Sequence, residues 1–202
     1  MTILFVNACM RGEDSRTLAL CREFFAQVQR AMPDVRIIEH DLTRAPMQPV
    51  TAATLAEKEP LCDRHAWDHP MFARACEFQA ADAVVIGAPY WDMSFPSVLK
   101  VWVENMYVRN LTFRYVDDQS EGLCRGRESV YITTAGSPIG ADDWGAGYMR
   151  AVLHTLGIPE FTSIAAESLD MATSDAQAIM RDALQCVRDE ADAFVQRMAA
   201  GQ

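Results

Sequence analysis

Three stretches of the 202-residue chain concentrate residue types able to act on a ligand. The first is Cys9-Met10-Arg11-Gly12-Glu13-Asp14-Ser15-Arg16-Thr17, which follows an apolar run and precedes a helical pattern. A loop in that place presents unpaired backbone N–H groups and the positive end of a helix dipole, so it favours an anion such as a phosphate. Ser15 and Thr17 add hydroxyl donors, and Arg11 and Arg16 add charge. These local donors have to prevail, because the chain as a whole has a formal net charge of −10. The competing account is a capped helix with solvated arginines.

The second stretch is Ala88-Pro89-Tyr90-Trp91-Asp92-Met93-Ser94-Phe95-Pro96-Ser97. Two prolines stiffen it, and its aromatics and methionine suit the edge of a flat heteroaromatic ring, although Trp91 or Phe95 alone reads equally well as core cover. The third is Thr133-Thr134-Ala135-Gly136-Ser137, whose small residues let the backbone approach a ligand and aim N–H groups at it. Donors fixed there would stabilise the anionic reduced form of a flavin. Each stretch is a weak signal alone; three at successive strand ends reinforce one another.

The elements that must hold these loops alternate between strand-like and helix-like, the signature of a parallel sheet covered on both faces. Strands are expected at Thr2–Ala8, Val35–Leu42, Ala83–Ala88, Glu128–Thr134 and Glu160–Ala166. Helices are expected from a cap at Ser15, near Pro70, over Ser94–Val108 with Pro96 in its first turn, over Trp144–Leu156, and after a capping box made by Ser174 and Gln177. Residues 43–70, punctuated by Pro46, Pro49, Pro60 and Pro70, read as an irregular loop. In the last helix Ala176, Met180, Ala183, Val187, Ala191, Phe194 and Met198 form one stripe. The result is a five-stranded doubly wound α/β sheet of order 2-1-3-4-5, with ligands at the carboxyl ends of the strands. Residues 111–127 form a two-stranded excursion beyond it, and residues 1–202 read as a single domain.

Composition narrows the class. An apolar share of 50% and a charged share of 23% suit a globular protein. The negative charge argues against nucleic acid and anionic membranes as partners. No apolar run is long enough to span a bilayer, and the N-terminus has no basic leader, so a cytoplasmic protein is expected. Six scattered cysteines without a Cys-x-x-Cys pair read as free thiols. His65 and His69 share a helical spacing with Asp68 nearby, but the following Pro70 makes an exposed polar pair the better reading than a metal site. Gly145 and Gly147 lack the third glycine of a dinucleotide fingerprint.

The chain resembles the flavodoxin-like NAD(P)H dehydrogenase (quinone) family, which includes FMN-dependent NADH:quinone oxidoreductases and azoreductases. The resemblance is strongest from Gly87 to Trp91, from Phe95 to Lys100, and in Thr112-Phe113-Arg114-Tyr115 with Glu121-Gly122-Leu123. Thr155 to Ile158 and Ala166 to Leu169 also fit. It implies FMN as cofactor, its phosphate held at Cys9, Ser15, Arg16 and Thr17. The ring system would lie against Pro89, Tyr90, Trp91, Asp92 and Met93, with Thr134, Ala135, Gly136 and Ser137 on its pyrimidine side. It implies hydride transfer from NADH or NADPH through flavin N5 to a quinone, azo compound or similar flat aromatic acceptor, in ping-pong order. No side chain is required as a nucleophile, and a homodimer with the flavin site at the interface is the family's usual assembly.

Three positions depart from the family pattern. Cys9 stands where serine is frequent, Asp92 where asparagine is common, and Ala135 where some azoreductases carry a larger, often basic residue. One alternative is a flavodoxin-like FMN electron carrier without turnover, though such carriers lack the 111–127 excursion. Another is a low-molecular-weight phosphatase, which places Cys-x5-Arg after its first strand. Here six residues separate Cys9 from Arg16, and no Asp-Pro dipeptide supplies a general acid.

Overall fold

The computed structural model describes residues 1–200. Five parallel strands form its centre: β1 (Thr2–Asn7), β2 (Arg36–Asp41), β3 (Ala83–Gly87), β6 (Glu128–Thr134) and β7 (Glu160–Ala166), in the order β2-β1-β3-β6-β7. Numbered among themselves, they have the expected 2-1-3-4-5 arrangement. All five residues of β3 and all seven of β6 are buried, as parallel strands covered on both faces must be. The register runs Ile3 beside Ile37 and Ala83, and Glu128 beside Ala83 and Glu160. The chain leaves β1 towards one edge and returns through β3 on its other side. That reversal opens a crevice at the carboxyl ends of β1 and β3.

One face of the sheet is covered by α1 (Arg16–Ala31) and α6 (Ala176–Ala200). In α1 the buried side chains are Thr17, Leu18, Leu20, Cys21, Phe24, Phe25 and Val28, and each fully buried Leu or Phe contributes about 1.5–3 kcal/mol of transfer free energy. In α6 the expected stripe is buried from Ala183 to Met198, with Ala176 and Met180 partly covered. The α6 cap differs from the expected box. Asp175 Oδ1 accepts from the Ala178 N–H at 2.9 Å, so Asp175, and not Ser174, satisfies the first turn.

The other face carries α2 (Ala52–Asp63), α3 (Ala73–Ala80), α4 (Ser97–Met106) and α5 (Trp144–Thr155). The expected loop over residues 43–70 therefore contains a helix. Thr51 and Thr54 bond each other's backbone N–H reciprocally, a capping box that starts α2, and Pro60 is accommodated within it. Only Cys62 of α2 is fully buried, so apolar periodicity had little to reveal. Pro70 opens a 3-10 turn that leads into α3. The helix expected from Ser94 begins three residues later, because Trp91 and Ser94 first close a tight turn.

The excursion is a two-stranded antiparallel ribbon of β4 (Phe113–Val116) and β5 (Gln119–Gly122). Its end docks on the turn after α5. A Cβ on Gly122 would overlap the backbone of Leu156 and Gly157, so the close approach requires glycine. All six cysteines are free thiols. No helix among the described residues is long and apolar enough to cross a membrane.

Candidate functional site

A crevice at the carboxyl end of the sheet brings the three stretches together. It is lined by Arg11, Asp14, Ser15, Arg16, Thr17, Pro89, Tyr90, Trp91, Thr134, Ala135, Gly136, Leu169 and Asp170. Ten of the fourteen residues singled out in the sequence are in that lining. Cys9, Asp92, Met93 and Ser137 are not.

The anion side is built by the start of α1. The Ser15 hydroxyl accepts from the Leu18 N–H at 3.2 Å, which caps the helix and leaves its own proton free to donate. The amides of Arg16 and Thr17, in the first turn, meet no acceptor among the described residues. Thr17 is fully buried, and its hydroxyl meets that of Thr134 at 2.7 Å. This bond ties the first loop to the third. Thr17 therefore offers the crevice its backbone, and its side chain serves as a brace.

Cys9 departs from its expected place. Its thiol is fully buried and turned back onto the Gly87 carbonyl at 3.5 Å. It faces the α1 side of the core, beside Cys21, whose pKa burial raises well above the thiol range. A thiol so placed is neither a phosphate donor nor a nucleophile, which also removes the Cys–Arg phosphatase arrangement.

The aromatic side is held by backbone bonds. The Ala88 N–H donates to Ile132 and the Tyr90 N–H to Thr134, at 3.1 and 2.9 Å, joining the second stretch to the third. Trp91 and Ser94 then exchange backbone bonds of 3.2 and 2.8 Å around Asp92 and Met93, whose φ angles are +50° and +65°. Two left-handed residues in succession make a type I′ turn, in which aspartate is tolerated and methionine is strained. Strain of this kind is kept where surrounding structure enforces it. It accounts for Asp92 as a turn residue directed to solvent and lifts Met93 to 66% exposure. Tyr90 keeps its proton, since slight desolvation and the nearby carboxylates of Asp143 and Glu167 raise its pKa.

A fourth loop, after β7, was missed. The Leu169 and Asp170 N–H groups donate to the Ala135 and Gly136 carbonyls at 3.1 and 2.9 Å, with Ser168 at φ +64° making the turn. Asp170 Oδ1 pairs with Arg16 Nη1 at 2.8 Å. The sequence signals were a polar turn at the end of the fifth strand, the place where such folds put ligand loops, and the resemblance at Ala166 to Leu169, which assigned no residue there to the site. Ser137 is exposed just beyond the lining. His65 lies outside a helix at φ +53° and stacks on Trp67, while His69 Nδ1 accepts from the Met71 N–H, so the two do not share a helix face.

Comparison with known proteins agrees with this architecture. Residues 1–189 match a family described by its flavodoxin-like fold. The chain is 30% identical over 198 residues to FMN-dependent NADH:quinone oxidoreductase 2 of Clostridium acetobutylicum, covering 95% of this chain and 98% of that protein. It is 32% identical over 198 residues to FMN-dependent NADH:quinone oxidoreductase 1 of Xanthomonas euvesicatoria, covering 96% and 99%. Among solved structures it is similar to an azoreductase from Bacillus anthracis, with a TM-score of 0.85 at 20% identity over 96% of this chain and 100% of that one. An FMN-dependent NADH-azoreductase from the same species, solved in complex with FMN, gives 0.84 at 21% identity, again over 96% and 100%. The structural likenesses speak for the fold, and the sequence match over nearly the whole chain speaks for descent: the chain belongs to the flavodoxin-like NAD(P)H dehydrogenase (quinone) family.

Proposed function

We propose that this protein is an FMN-dependent oxidoreductase acting between NADH or NADPH and a quinone, azo compound or similar flat acceptor. The observation that carries the proposal is the meeting, in one crevice, of unpaired amides at the start of α1 and a proline-stiffened aromatic wall. The first suits a phosphate and the second the edge of a flat ring. The donor set fits FMN: the Arg16 and Thr17 amides, the Ser15 proton and the Arg11 charge on one side, and Pro89, Tyr90 and Trp91 on the other. Relatives that are FMN-dependent by name support the same cofactor.

The chemistry supplied when FMN is bound is hydride uptake from the nicotinamide at N5 and its delivery to the acceptor. The protein's own part is to bind, orient and shield. The Thr17–Thr134 bond fixes the distance between the phosphate loop and the third loop. The Gly136 amide, which has no acceptor among the described residues, is a donor available to the pyrimidine edge, where negative charge develops on reduction. A Cβ at Gly136 would stand 2.5 Å from Asp170 Oδ2, so the close approach of Asp170 requires glycine there. Trp91 and Met93, 39% and 66% exposed, stand at the mouth where donor and acceptor would enter in turn.

A homodimer belongs to the same reading. Met10, Trp91 and Met93 on loops, and Trp144 at the start of α5, are large apolar side chains left exposed. A second copy laid over them would remove that surface from water and complete the wall of the site.

Isolated protein is expected to be yellow, to release FMN on denaturation and to oxidise NADH or NADPH when a quinone is present. Colourless protein that neither binds added FMN nor gains this activity overturns the proposal. Initial rates with both substrates varied should give parallel reciprocal plots; intersecting lines would remove the shared-site exchange.

A further inference from the structure

The loop that would hold a phosphate already has an anion in it. Arg16 Nη1 lies 2.8 Å from Asp170 Oδ1, and both side chains line the crevice with Ser15 and Thr17. Asp170 is held there by its backbone. Its N–H donates to the Gly136 carbonyl, and its carboxylate occupies the space that a side chain at Gly136 would fill. The crevice lining contains two arginines, Arg11 and Arg16, and two carboxylates, Asp14 and Asp170, so its formal charge is balanced before any ligand arrives.

We propose that Asp170 competes with the ligand's phosphate for Arg16, and so sets how strongly the crevice prefers a phosphate-bearing flavin to the same flavin without one. This rests on the flavin reading above. A phosphate that reaches Arg16 must either draw its guanidinium away from Asp170 or share it with a carboxylate a few ångströms off. In both cases the phosphate meets a like charge that riboflavin, uncharged at its side-chain end, does not meet. Asp170→Asn keeps the shape and the backbone bonds and removes one negative charge. It should tighten FMN about two- to fivefold, the scale of an exposed ion pair. The gain should shrink as salt rises, because the groups are open to solvent.

The test is titration of flavin fluorescence with full-length protein freed of bound flavin, using FMN and riboflavin in parallel. The variants are Asp170→Asn, Arg16→Met and both together. The expected result is tighter FMN and unchanged riboflavin in Asp170→Asn, weaker FMN in Arg16→Met, and no effect of Asp170→Asn once Arg16 is absent. Weaker or unchanged FMN in Asp170→Asn overturns the proposal, the former by showing that Asp170 aims Arg16 at the phosphate. An equal change for FMN and riboflavin also overturns it, because it would report on loop structure and not on charge. If no protein, the wild type included, binds either flavin, the flavin reading itself fails.

Discussion

The two faces of the sheet are built on different plans. One rests on two long helices, α1 with 16 residues and α6 with 25, joined by an aromatic seam. In that seam Phe24 meets Phe194 edge-on, with ring centroids 5.4 Å apart. The other face is assembled from four helices of 8 to 12 residues, none long enough to be stable in isolation. Its centre is Trp102, packed on Phe78 and donating through Nε1 to His40 Nδ1 at 3.0 Å. The first face is organised by local periodicity, the second by a buried polar contact between distant segments. The crevice lies where they meet, taking its anion side from the head of α1 and its aromatic wall from the loop that enters α4.

The largest expected effects are in the two centres. Phe24→Ala and Trp102→Ala, at fully buried positions, should each cost about 3–5 kcal/mol in urea unfolding. Trp102→Ala should cost more, because it also strips a buried His40 nitrogen of its donor. The reverse ranking would show that the polar centre adds nothing to the short-helix face. Gly122→Ala comes next. It drives a methyl into the backbone after α5, with an overpacking penalty of about 1–3 kcal/mol. Gly147→Ala, in the open on α5, should instead stabilise by roughly 0.5–1 kcal/mol, since only helix propensity changes there.

Helix caps sharpen the comparison on a smaller scale. Ser15→Ala and Thr51→Ala each remove an N-cap and should each cost about 1 kcal/mol. Only Ser15→Ala should also weaken FMN, because only α1 opens into the crevice. Equal loss of FMN affinity in both would mean that the crevice depends on overall stability alone. The smallest effect is one of pH. Burial, the dominant cause, lowers the pKa of His40 below its ordinary 6.5 despite the opposing Glu77 carboxylate. The folded protein therefore binds the proton less readily than the unfolded chain, and stability should fall as the pH drops below about 6.5. Replacing His40 with Gln should flatten that part of the stability profile.

Much of the candidate site was legible because its residues lie at the ends of strands or in the loops that leave them. A buried strand has a short apolar signature, and whatever comes next in the chain must emerge at its carboxyl end. Ser15, Arg16, Thr17, Pro89, Tyr90 and Thr134 could be placed on that basis. Helix α2 was not legible, since its capping pair is Thr51 with Thr54 and most of its residues are exposed. Prolines in residues 43–70 read as breaks, although Pro60 sits within the helix. Asp170 was missed because its meaning depends on Arg16, 154 positions earlier.

What the sequence determined by itself is whatever depends on neighbours in the chain: the alternation of strand and helix, the cap at Ser15 and the stripe of α6. Side-chain direction and long-range pairing were decided only by the tertiary structure. Packing against Gly87 turns the Cys9 thiol into the core, where a sequence reading set it beside a phosphate. A turn with two left-handed residues sends Asp92 to solvent. Folding brings Asp170 onto Arg16, so an arginine that reads along the chain as open to a ligand is already paired in the crevice. Sequence spacing specifies which backbone groups a loop exposes, but the charge a ligand meets there is a sum over every strand end that reaches it.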